Sequence, residues 1–235
     1  MRLSTLKQEK VDFDWYAGDY NKLLADSTRF FSPNEAYFAR YKAAVARRLV
    51  SFEPRRVFEF GCGIGRNLPF LVAVFPRARL FASDISKESV AIARRENPDV
   101  VCWVEGHDAA PEATFDLTFV AGVFHHVSPS QRAQVSEAIV GRLDPGGELI
   151  VFEHNPFNPV TRRIVDTCPY DADAVLLRPS ELAGHLAAAG LEILGTGFIL
   201  FVPPRLEPLT KLDRLLGWLP LGGQYWVHAR RRAHA

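Results

Sequence analysis

Short apolar runs alternate with helical patterns along most of the chain. The apolar runs are bulky and bounded by turn residues, which is typical of strands buried in a sheet. Between them, apolar residues recur three or four positions apart, which is typical of helices with one buried face. Five strand–helix alternations predict an α/β fold with a doubly wound parallel sheet and helices on both faces. The predicted strands cover residues 57–60, 79–84, 100–104, 115–120, 148–153, 191–201 and 224–230.

Small polar residues and prolines mark the predicted helix starts. Ser32 is a predicted N-cap, with Pro33 at the first helical position. Ser86 is well placed to cap the helix that follows the second strand. Further helices are predicted to begin near Pro129 and Pro179.

A glycine-rich turn separates the first predicted strand from the next helix. Glycine has no Cβ, so the backbone of 61–65 can turn sharply and approach a ligand closely. The helix that follows presents unpaired N–H groups at its N-terminus. We therefore expect a nucleotide-type ligand at the carboxyl end of a central parallel strand. A turn that joins strand to helix without any ligand is the alternative.

The residues of this turn narrow the choice of nucleotide. A dinucleotide fingerprint would need a third glycine where Arg66 stands, and no Lys-Ser/Thr pair follows to form a phosphate-gripping loop. What remains is an acidic residue and three alternating glycines: Glu59, Gly61, Gly63 and Gly65. This pattern resembles the first motif of the class I S-adenosylmethionine (SAM) dependent methyltransferases.

Asp84 ends the second predicted strand. A carboxylate at this place can accept hydrogen bonds from both hydroxyls of a ribose. The same geometry serves any adenosine ligand, SAM included. The alternative is an N-cap for the next helix, a position for which Ser86 is better suited.

Later segments extend the resemblance over roughly residues 55–232. Segment 115–127 resembles the family's region where cofactor and substrate meet, and 143–151 resembles its Leu-x-Pro-Gly-Gly turn, to which we assign no chemistry. The resemblance implies a Rossmann-like seven-stranded sheet in which the last strand, 224–230, is antiparallel. It also implies a helical lid at 1–50 over a SAM-binding domain at 51–235.

The resemblance implies SAM as cofactor, with S-adenosylhomocysteine (SAH) as product. In the family, an acid after the third strand recognises the adenine amino group and the next residue flanks the ring, positions held here by Asp108 and Ala109. The implied cofactor-binding residues are Glu59, Gly61, Cys62, Gly63, Gly65, Asn67, Asp84, Ile85, Ser86, His107, Asp108, Ala109, Ala121, Gly122 and Val123.

Methyl transfer mainly requires alignment of the acceptor atom, the methyl group and the sulfur. A base is needed only where the acceptor carries a proton that must leave, and histidine titrates in the right range. His126 follows the fourth predicted strand and His154 follows the fifth, so both loops meet at one edge of the sheet. We expect one of them to polarise or deprotonate an acceptor hydroxyl or amine. The alternative is that they only shape their loops.

The segment 155–178 is predicted to carry substrate specificity as a loop on the active face. Arg162 could meet an acidic group of the acceptor, although a solvated helix face is the simpler interpretation. Tyr16 and Tyr20 share a helix face, either in the lid or packed against the sheet. The candidate substrate-binding residues are Tyr16, Tyr20, Tyr37, His125, Asn155 and Arg162.

Composition limits the classes of partner. The net charge of +1 in 235 residues gives no drive towards nucleic acid, so we expect a small-molecule acceptor, such as a secondary metabolite or a sugar. No apolar run is long enough to cross a bilayer. The three cysteines are widely spaced, which favours a reduced cytoplasmic compartment, and we expect a monomer or homodimer.

Metal chemistry is not expected at this stage. Cysteine spacing forms no zinc pattern, and His125 and His126 stand where Mg²⁺ would require hard oxygen ligands. Two other functions remain open. An NAD-dependent reductase is disfavoured by Arg66, and a non-catalytic partner subunit with the same fold is disfavoured by the intact acids and glycines of the motifs. The prediction is therefore a methyltransferase acting on an oxygen or nitrogen atom.

Overall fold

The computed structural model describes residues 11–18, 36–202 and 213–233. The strands of this part of the chain are β1 Arg56–Phe60, β2 Arg79–Asp84, β3 Val101–Val104, β4 Phe115–Ala121, β5 Leu143–His154, β6 Leu191–Ile199 and β7 Gln224–Arg231. Its α-helices are α1 Phe13–Tyr16, α2 Ala36–Leu49, α3 Leu68–Val74, α4 Lys87–Glu96, α5 Arg132–Gly141, α6 Pro159–Thr167, α7 Pro179–Ala188 and α8 Asp213–Leu216. Short 3-10 helices occur at Phe124–His126, Pro129–Gln131 and Pro169–Asp171.

The strands form one sheet in the order β3-β2-β1-β4-β5-β7-β6. The pairs among β1 to β5 are parallel, and β7 is antiparallel to both β5 and β6. The predicted Rossmann-like sheet with an antiparallel last strand is confirmed. Helices pack on both faces, because the central strands carry apolar side chains on both of their sides.

Strand β5 begins earlier than predicted. The pattern placed a turn at Pro145–Gly147, whereas these residues lie inside β5. A bulge accommodates them: Phe115 pairs with Leu143, but the next paired positions are Leu117 and Glu148. The prediction that β6 reaches 201 was also wrong, since β6 ends at Ile199.

The start of helix α4 is fixed by an N-cap at the carboxyl edge of the sheet. The Ser86 hydroxyl accepts a hydrogen bond from the Ser89 backbone N–H at 3.0 Å, so the predicted N-cap is confirmed. The helix therefore begins directly after Asp84, at the carboxyl end of β2. The predicted cap at Ser32 and Pro33 lies outside the described residues.

Only part of the predicted lid is described, as α1 and α2. In α1, the Asp14 carboxylate accepts hydrogen bonds from the Ser86 hydroxyl at 2.6 Å and the Glu88 backbone N–H at 3.1 Å. These contacts fix α1 across the start of α4. Among the described residues, no helix combines the length and the apolar character needed to span a membrane.

Candidate active site

A cavity of about 630 Å³ lies at the carboxyl edge of the parallel strands. Its walls come from the loops after β1, β2, β4 and β5, from α6, and from Phe13 of α1. One half contains the glycine turn and Asp84, and the other contains three histidines. The cavity thus joins the glycine turn to a set of titratable side chains.

The glycine turn after β1 needs glycine at each alternate position. Gly61, Gly63 and Gly65 have φ values of +72°, +52° and +84°, a region that favours glycine. A Cβ on Gly61 would overlap the Cγ2 atom of Val123, which comes from the loop after β4. A Cβ on Gly63 would meet no atom within 4 Å, because Gly63 lies at the cavity wall. The two positions therefore serve different purposes, packing and ligand approach.

We expect two glycine substitutions to separate these purposes. Gly61→Ala should lower the free energy of unfolding by about 3 kcal/mol, since backbone strain and overlap with Val123 add. Gly63→Ala should cost only about 1 kcal/mol of stability, yet weaken SAH binding at least about tenfold by filling ligand space. Denaturant unfolding and calorimetric titration with SAH measure the two effects.

Gly184→Ala is the matched control. It lies within helix α7, where alanine should leave SAH affinity unchanged and stability equal or higher. Equal losses of affinity in the Gly61 and Gly63 variants, each with full stability, would contradict the separation.

Asp84 holds the turn from the side of β2. One carboxylate oxygen accepts the Gly63 backbone N–H at 2.8 Å and the other accepts the Ser86 N–H at 2.9 Å. Burial raises the pKa of Asp84, while these backbone donors favour its charged form. Each oxygen retains accepting capacity on the cavity side, as a ribose diol requires.

Glu59 lies directly behind the turn. It accepts a hydrogen bond from the Asn67 amide at 2.6 Å, and its other oxygen, Oε2, is buried with no hydrogen-bond partner among the described residues. Burial raises the pKa of Glu59 to about 8 and lowers the pKa of Lys42 to about 8. The open approach at Gly63 and the Asp84 carboxylate, both at the cavity wall, together fit the ribose of SAM.

His125 is the most buried of the cavity histidines. Its Nδ1 lies 2.6 Å from Glu153 Oε2, and its Nε2 lies 3.6 Å from Asp171 Oδ1. Burial alone would lower the pKa of His125, but the Glu153 and Asp171 carboxylates outweigh burial and raise it to about 10. The other oxygen of Glu153 accepts the backbone N–H groups of Val123 and Phe124 at 2.9 and 2.7 Å. Glu153 therefore fixes both the ring and its loop.

His154 has a different electrostatic environment. Its ring lies 4.9 Å from the His125 ring, measured between centroids, and is only partly buried. Burial, with the positive charge of His125, lowers the pKa of His154 to about 4. The His154 imidazole is therefore neutral near pH 7 and lines the cavity.

His126 is oriented by a carboxylate. Its Nδ1 lies 3.0 Å from Asp173 Oδ1, and its Nε2 lies 3.4 Å from Asp171 Oδ1 without a hydrogen bond. Phe13 and Tyr170 pack edge-on against the ring, with centroids 5.1 and 5.4 Å away. These two aromatic residues cover the His126 side of the cavity.

The structure brings most predicted residues together at the cavity wall. The predicted residues that line it are Gly61, Cys62, Gly63, Asn67, Asp84, Ile85, Ala121, Gly122, Val123, His125, His126 and His154. Glu59, Gly65 and Ser86 lie just behind the wall, where Glu59 bonds Asn67 and Ser86 caps α4.

The predicted adenine-binding residues His107, Asp108 and Ala109 do not line the cavity. The Asp108 carboxylate instead accepts the Val104 backbone N–H at 2.9 Å and pairs with Arg94 at 2.7 Å. The acid that reaches the cavity after β3 is Glu105, which Arg142 holds through two hydrogen bonds of 2.6 and 2.8 Å.

Of the other predicted substrate residues, those that the structure describes lie away from the cavity wall. Tyr37 is buried in the core between Phe38 and Tyr41. Asn155 is fully buried, and its amide donates to the backbone carbonyls of Pro220 and Gly222, so its role is structural.

The remaining predicted substrate residues lie on α6, on α1 or outside the described residues. Arg162 is on the exposed face of α6, in agreement with the solvated alternative. Tyr16 packs against Tyr170 rather than reaching the cavity wall, with ring centroids 6.1 Å apart. Tyr20 lies outside the described residues.

Sequence reasoning missed several residues of the site. Glu153 and Asp171 flank His125, Lys42 lines the cofactor side, and Phe13 closes the cavity from α1. Glu153 and His154 are adjacent at the end of β5, and an acid next to a histidine at a strand end was a usable signal. Asp171 had no such signal, because its approach depends on how the segment after α6 folds back.

Comparison with known proteins agrees with this geometry. A family model described as a methyltransferase domain matches residues 58–149. A trans-aconitate 2-methyltransferase of Methylobacterium nodulans is 33% identical over 170 residues, which cover 68% of this chain. A tRNA N(3)-methylcytidine methyltransferase of Drosophila melanogaster is 26% identical over 187 residues, or 70% of this chain. The chain spans 58% of the length of each of these relatives.

The fold is also found among solved structures. A TehB-like SAM-dependent methyltransferase from Corynebacterium glutamicum superposes with a TM-score of 0.63. The superposition covers 93% of this chain and 98% of the other, at 14% sequence identity. The matched domain runs from β1 into β5 and includes the glycine turn and Asp84. Residues 58–149 therefore match a methyltransferase domain, and the chain has the fold of the class I SAM-dependent methyltransferases.

Proposed function

We propose that the chain transfers a methyl group from SAM to an oxygen or nitrogen atom of a small-molecule acceptor held beside His154. One observation carries this proposal: a single cavity joins the glycine turn and Asp84 to the three histidines at the ends of β4 and β5. Bound SAM supplies a methyl group that is already activated by the positive charge on its sulfur. The protein then has to hold the acceptor atom in line with the methyl group and the sulfur.

The cofactor half of the cavity is suited to hold an adenosine with an amino-acid tail. Asp84 accepts the two ribose hydroxyls, and Gly63 allows the tail to pass close to the backbone. Glu59 holds the Asn67 side chain at the cavity wall from behind the turn. Ala121, Gly122 and Val123 then bring the sulfur end towards the histidines.

His154 is the proposed proton acceptor. Its ring is partly exposed to the cavity and makes no hydrogen bond within the part of the chain that the structure describes. The low pKa keeps it unprotonated at neutral pH. When an acceptor hydroxyl or amine donates a hydrogen bond to His154, a lone pair on its oxygen or nitrogen faces the methyl group. As the acceptor atom gains the methyl, its proton becomes strongly acidic and passes to the imidazole.

The size and the lining of the cavity favour a small acceptor. Phe13 and Tyr170 cover the His126 side, and the walls are mostly apolar around a few polar groups. The net charge of +1 gives the chain no overall electrostatic attraction for a nucleic acid backbone. The name of the Methylobacterium relative, a methyltransferase of trans-aconitate, agrees with a small acceptor. We propose a hydroxylated or aminated metabolite or sugar.

The N-terminal residues are the proposed lid. Asp14 bonds the first turn of α4, and the Val11 backbone N–H donates to Asp173 at 3.1 Å. Segment 11–18 therefore contacts both the start of α4, beside Asp84, and the segment after α6. We propose that residues 1–50 act as this lid and that 155–178 contributes the acceptor pocket through Thr161, Ile164 and Tyr170.

The state of the cysteines bears on the compartment. The three cysteines are free, which is consistent with a reducing, cytoplasmic compartment. We propose a monomer or homodimer.

His154→Gln should reduce kcat by about 100-fold or more, because glutamine can orient the acceptor but cannot take its proton. SAH affinity should stay within about twofold of wild type, since His154 lies on the acceptor side. The assay follows SAH release with a panel of small alcohols, amines and carboxylic acids, trans-aconitate included. His185→Gln, on helix α7 away from the cavity, is the matched control.

The pH profile adds a second readout of His154. The wild-type rate should hold down to about pH 5 and fall as pH drops through about 4, the pKa of His154, because only the neutral ring accepts a proton. This acidic limb should be absent in His154→Gln. Unchanged turnover in that variant would exclude His154 as the proton acceptor. SAH binding without turnover for any acceptor would favour the non-catalytic alternative.

A further inference from the structure

We infer that His125, His126 and Asp171 form a site for one divalent transition-metal ion such as zinc. The site lies at the end of the cavity that is proposed to hold the methyl acceptor. Each residue offers one ligand atom, and these atoms all lie within 4.8 Å of one another. The residues come from the 3-10 helices Phe124–His126 and Pro169–Asp171, which the fold places face to face.

The spacing of the three ligand atoms suits tetrahedral coordination. Asp171 Oδ1 lies 3.4 Å from His126 Nε2 and 3.6 Å from His125 Nε2. With metal–ligand bonds of about 2.0–2.1 Å, tetrahedral geometry separates neighbouring ligand atoms by about 3.3–3.4 Å. Two edges of the required triangle are thus within a few tenths of an ångström of the expected length.

Both histidines have the second partner that metal-binding histidines use. Such a ring typically bonds a carboxylate through its other nitrogen, which fixes the ring and its tautomer. Here Glu153 holds Nδ1 of His125 at 2.6 Å, and Asp173 holds Nδ1 of His126 at 3.0 Å. Glu153 and Asp173 are in turn bonded to backbone N–H groups, so the two rings are held rigidly with Nε2 pointing inward.

One nitrogen of the set lacks a partner. His126 Nε2 is buried and makes no hydrogen bond within the described part of the chain. The His126 side chain is 9% exposed and lies at the cavity wall. A buried polar atom without a partner costs free energy, and a metal ion would satisfy it. This atom is aimed at the point between Asp171 and His125.

The donor set also selects the metal. Two imidazoles and one carboxylate suit zinc, iron(II) or cobalt(II), whereas magnesium requires mainly oxygen ligands. No metal was expected from the sequence, because the cysteines form no zinc pattern and hard oxygen ligands for magnesium are lacking. That expectation did not consider Asp171 beside the two histidines. Three protein ligands leave a fourth position open, which is typical of catalytic rather than structural zinc. That position faces the cavity and could bind and polarise an acceptor oxygen beside His154, a role that rests on the proposed function.

Metal binding can be tested on the full chain with zinc alone. After removal of metals with a chelator, the protein is titrated with Zn²⁺ by calorimetry and with Co²⁺ by visible absorption. We expect one equivalent to bind with micromolar affinity or better, and Co²⁺ to show the intense bands of tetrahedral coordination. Asp171→Asn and His126→Gln should each weaken binding at least about tenfold. His185→Gln should bind as wild type does.

The outcomes are decisive in either direction. If the wild type binds no more Zn²⁺ than the Asp171→Asn and His126→Gln double variant, the site does not exist. Asp173→Asn serves where a ligand variant fails to fold, as judged by thermal unfolding, and it should weaken binding about tenfold through the His126 ring. Neither SAM nor an acceptor is present in this titration. Its failure therefore leaves the proposed methyl transfer standing, and zinc binding would survive a failure of methyl transfer.

Discussion

Asp84→Ala should weaken the binding of SAH by about 100-fold or more, equivalent to about 2.7 kcal/mol. In the proposed complex the carboxylate accepts two charge-assisted hydrogen bonds from the ribose, each of them stronger than a bond between neutral groups. It also anchors the turn through the Gly63 and Ser86 backbone N–H groups, so the variant loses preorganisation of the cradle as well. Calorimetric titration of the purified variant with SAH measures the change.

Two other aspartates provide the controls for this experiment. Asp99→Ala changes an exposed residue in the turn before β3 and should bind SAH as wild type does. Asp108→Ala tests the predicted adenine contact. Because its carboxylate pairs with Arg94 outside the cavity, we expect at most about a twofold change. A strong loss in Asp108→Ala with none in Asp84→Ala would overturn the assignment of the ribose site.

In the metal-free protein, Glu153→Gln should lower the free energy of unfolding by about 3 kcal/mol, because it leaves the buried His125 ring with less compensation for its charge. It also weakens the acceptor for the Val123 and Phe124 backbone N–H groups. For a chain of this size the loss corresponds to a fall in Tm of about 6–12 °C. Denaturant and thermal unfolding at pH 7 measure both quantities.

The pH dependence of that loss identifies its cause. The pKa of His125 is raised to about 10 in the folded protein, so its stabilising effect is complete below the ordinary histidine pKa of about 6.5. The effect disappears as pH rises through about 10, so the gap between wild type and Glu153→Gln should narrow over that interval. Glu137→Gln, an exposed position on α5, should show no gap at any pH. If the difference in free energy of unfolding between wild type and Glu153→Gln did not change with pH, its cause would be packing rather than the charge of His125.

The sheet was largely predictable because its signals are local. The apolar run of β2 ends in Asp84, and the strand has the predicted limits, 79–84. The start of β5 was not predictable in the same way. Pro145 and the two glycines after it have turn chemistry, yet pairing with β4 through a bulge keeps them in the strand. Tertiary pairing overrode the local preference.

In the candidate site, too, the residues next to strand ends were predictable, and those brought in by tertiary contacts were not. The glycine turn and Asp84 follow strand ends in sequence, and parallel strands bring those ends to one edge, so their meeting was predictable. Asp171 reaches the histidines only because the segment after α6 folds back over the cavity. Asp108 matched a motif, but its carboxylate pairs with Arg94 on α4 and does not line the cavity. Pairings across elements of this kind have no counterpart in the local pattern.

The most direct test of the central claim is a crystal structure of the chain with SAH bound. We predict the ribose hydroxyls on Asp84, the amino-acid tail along Gly61–Gly65, and the sulfur facing His154 across the acceptor half of the cavity. In that arrangement a methyl group on the sulfur would point at the atom that donates its proton to His154. A nucleoside bound elsewhere, or a sulfur directed away from the histidines, would contradict the proposed methyl transfer.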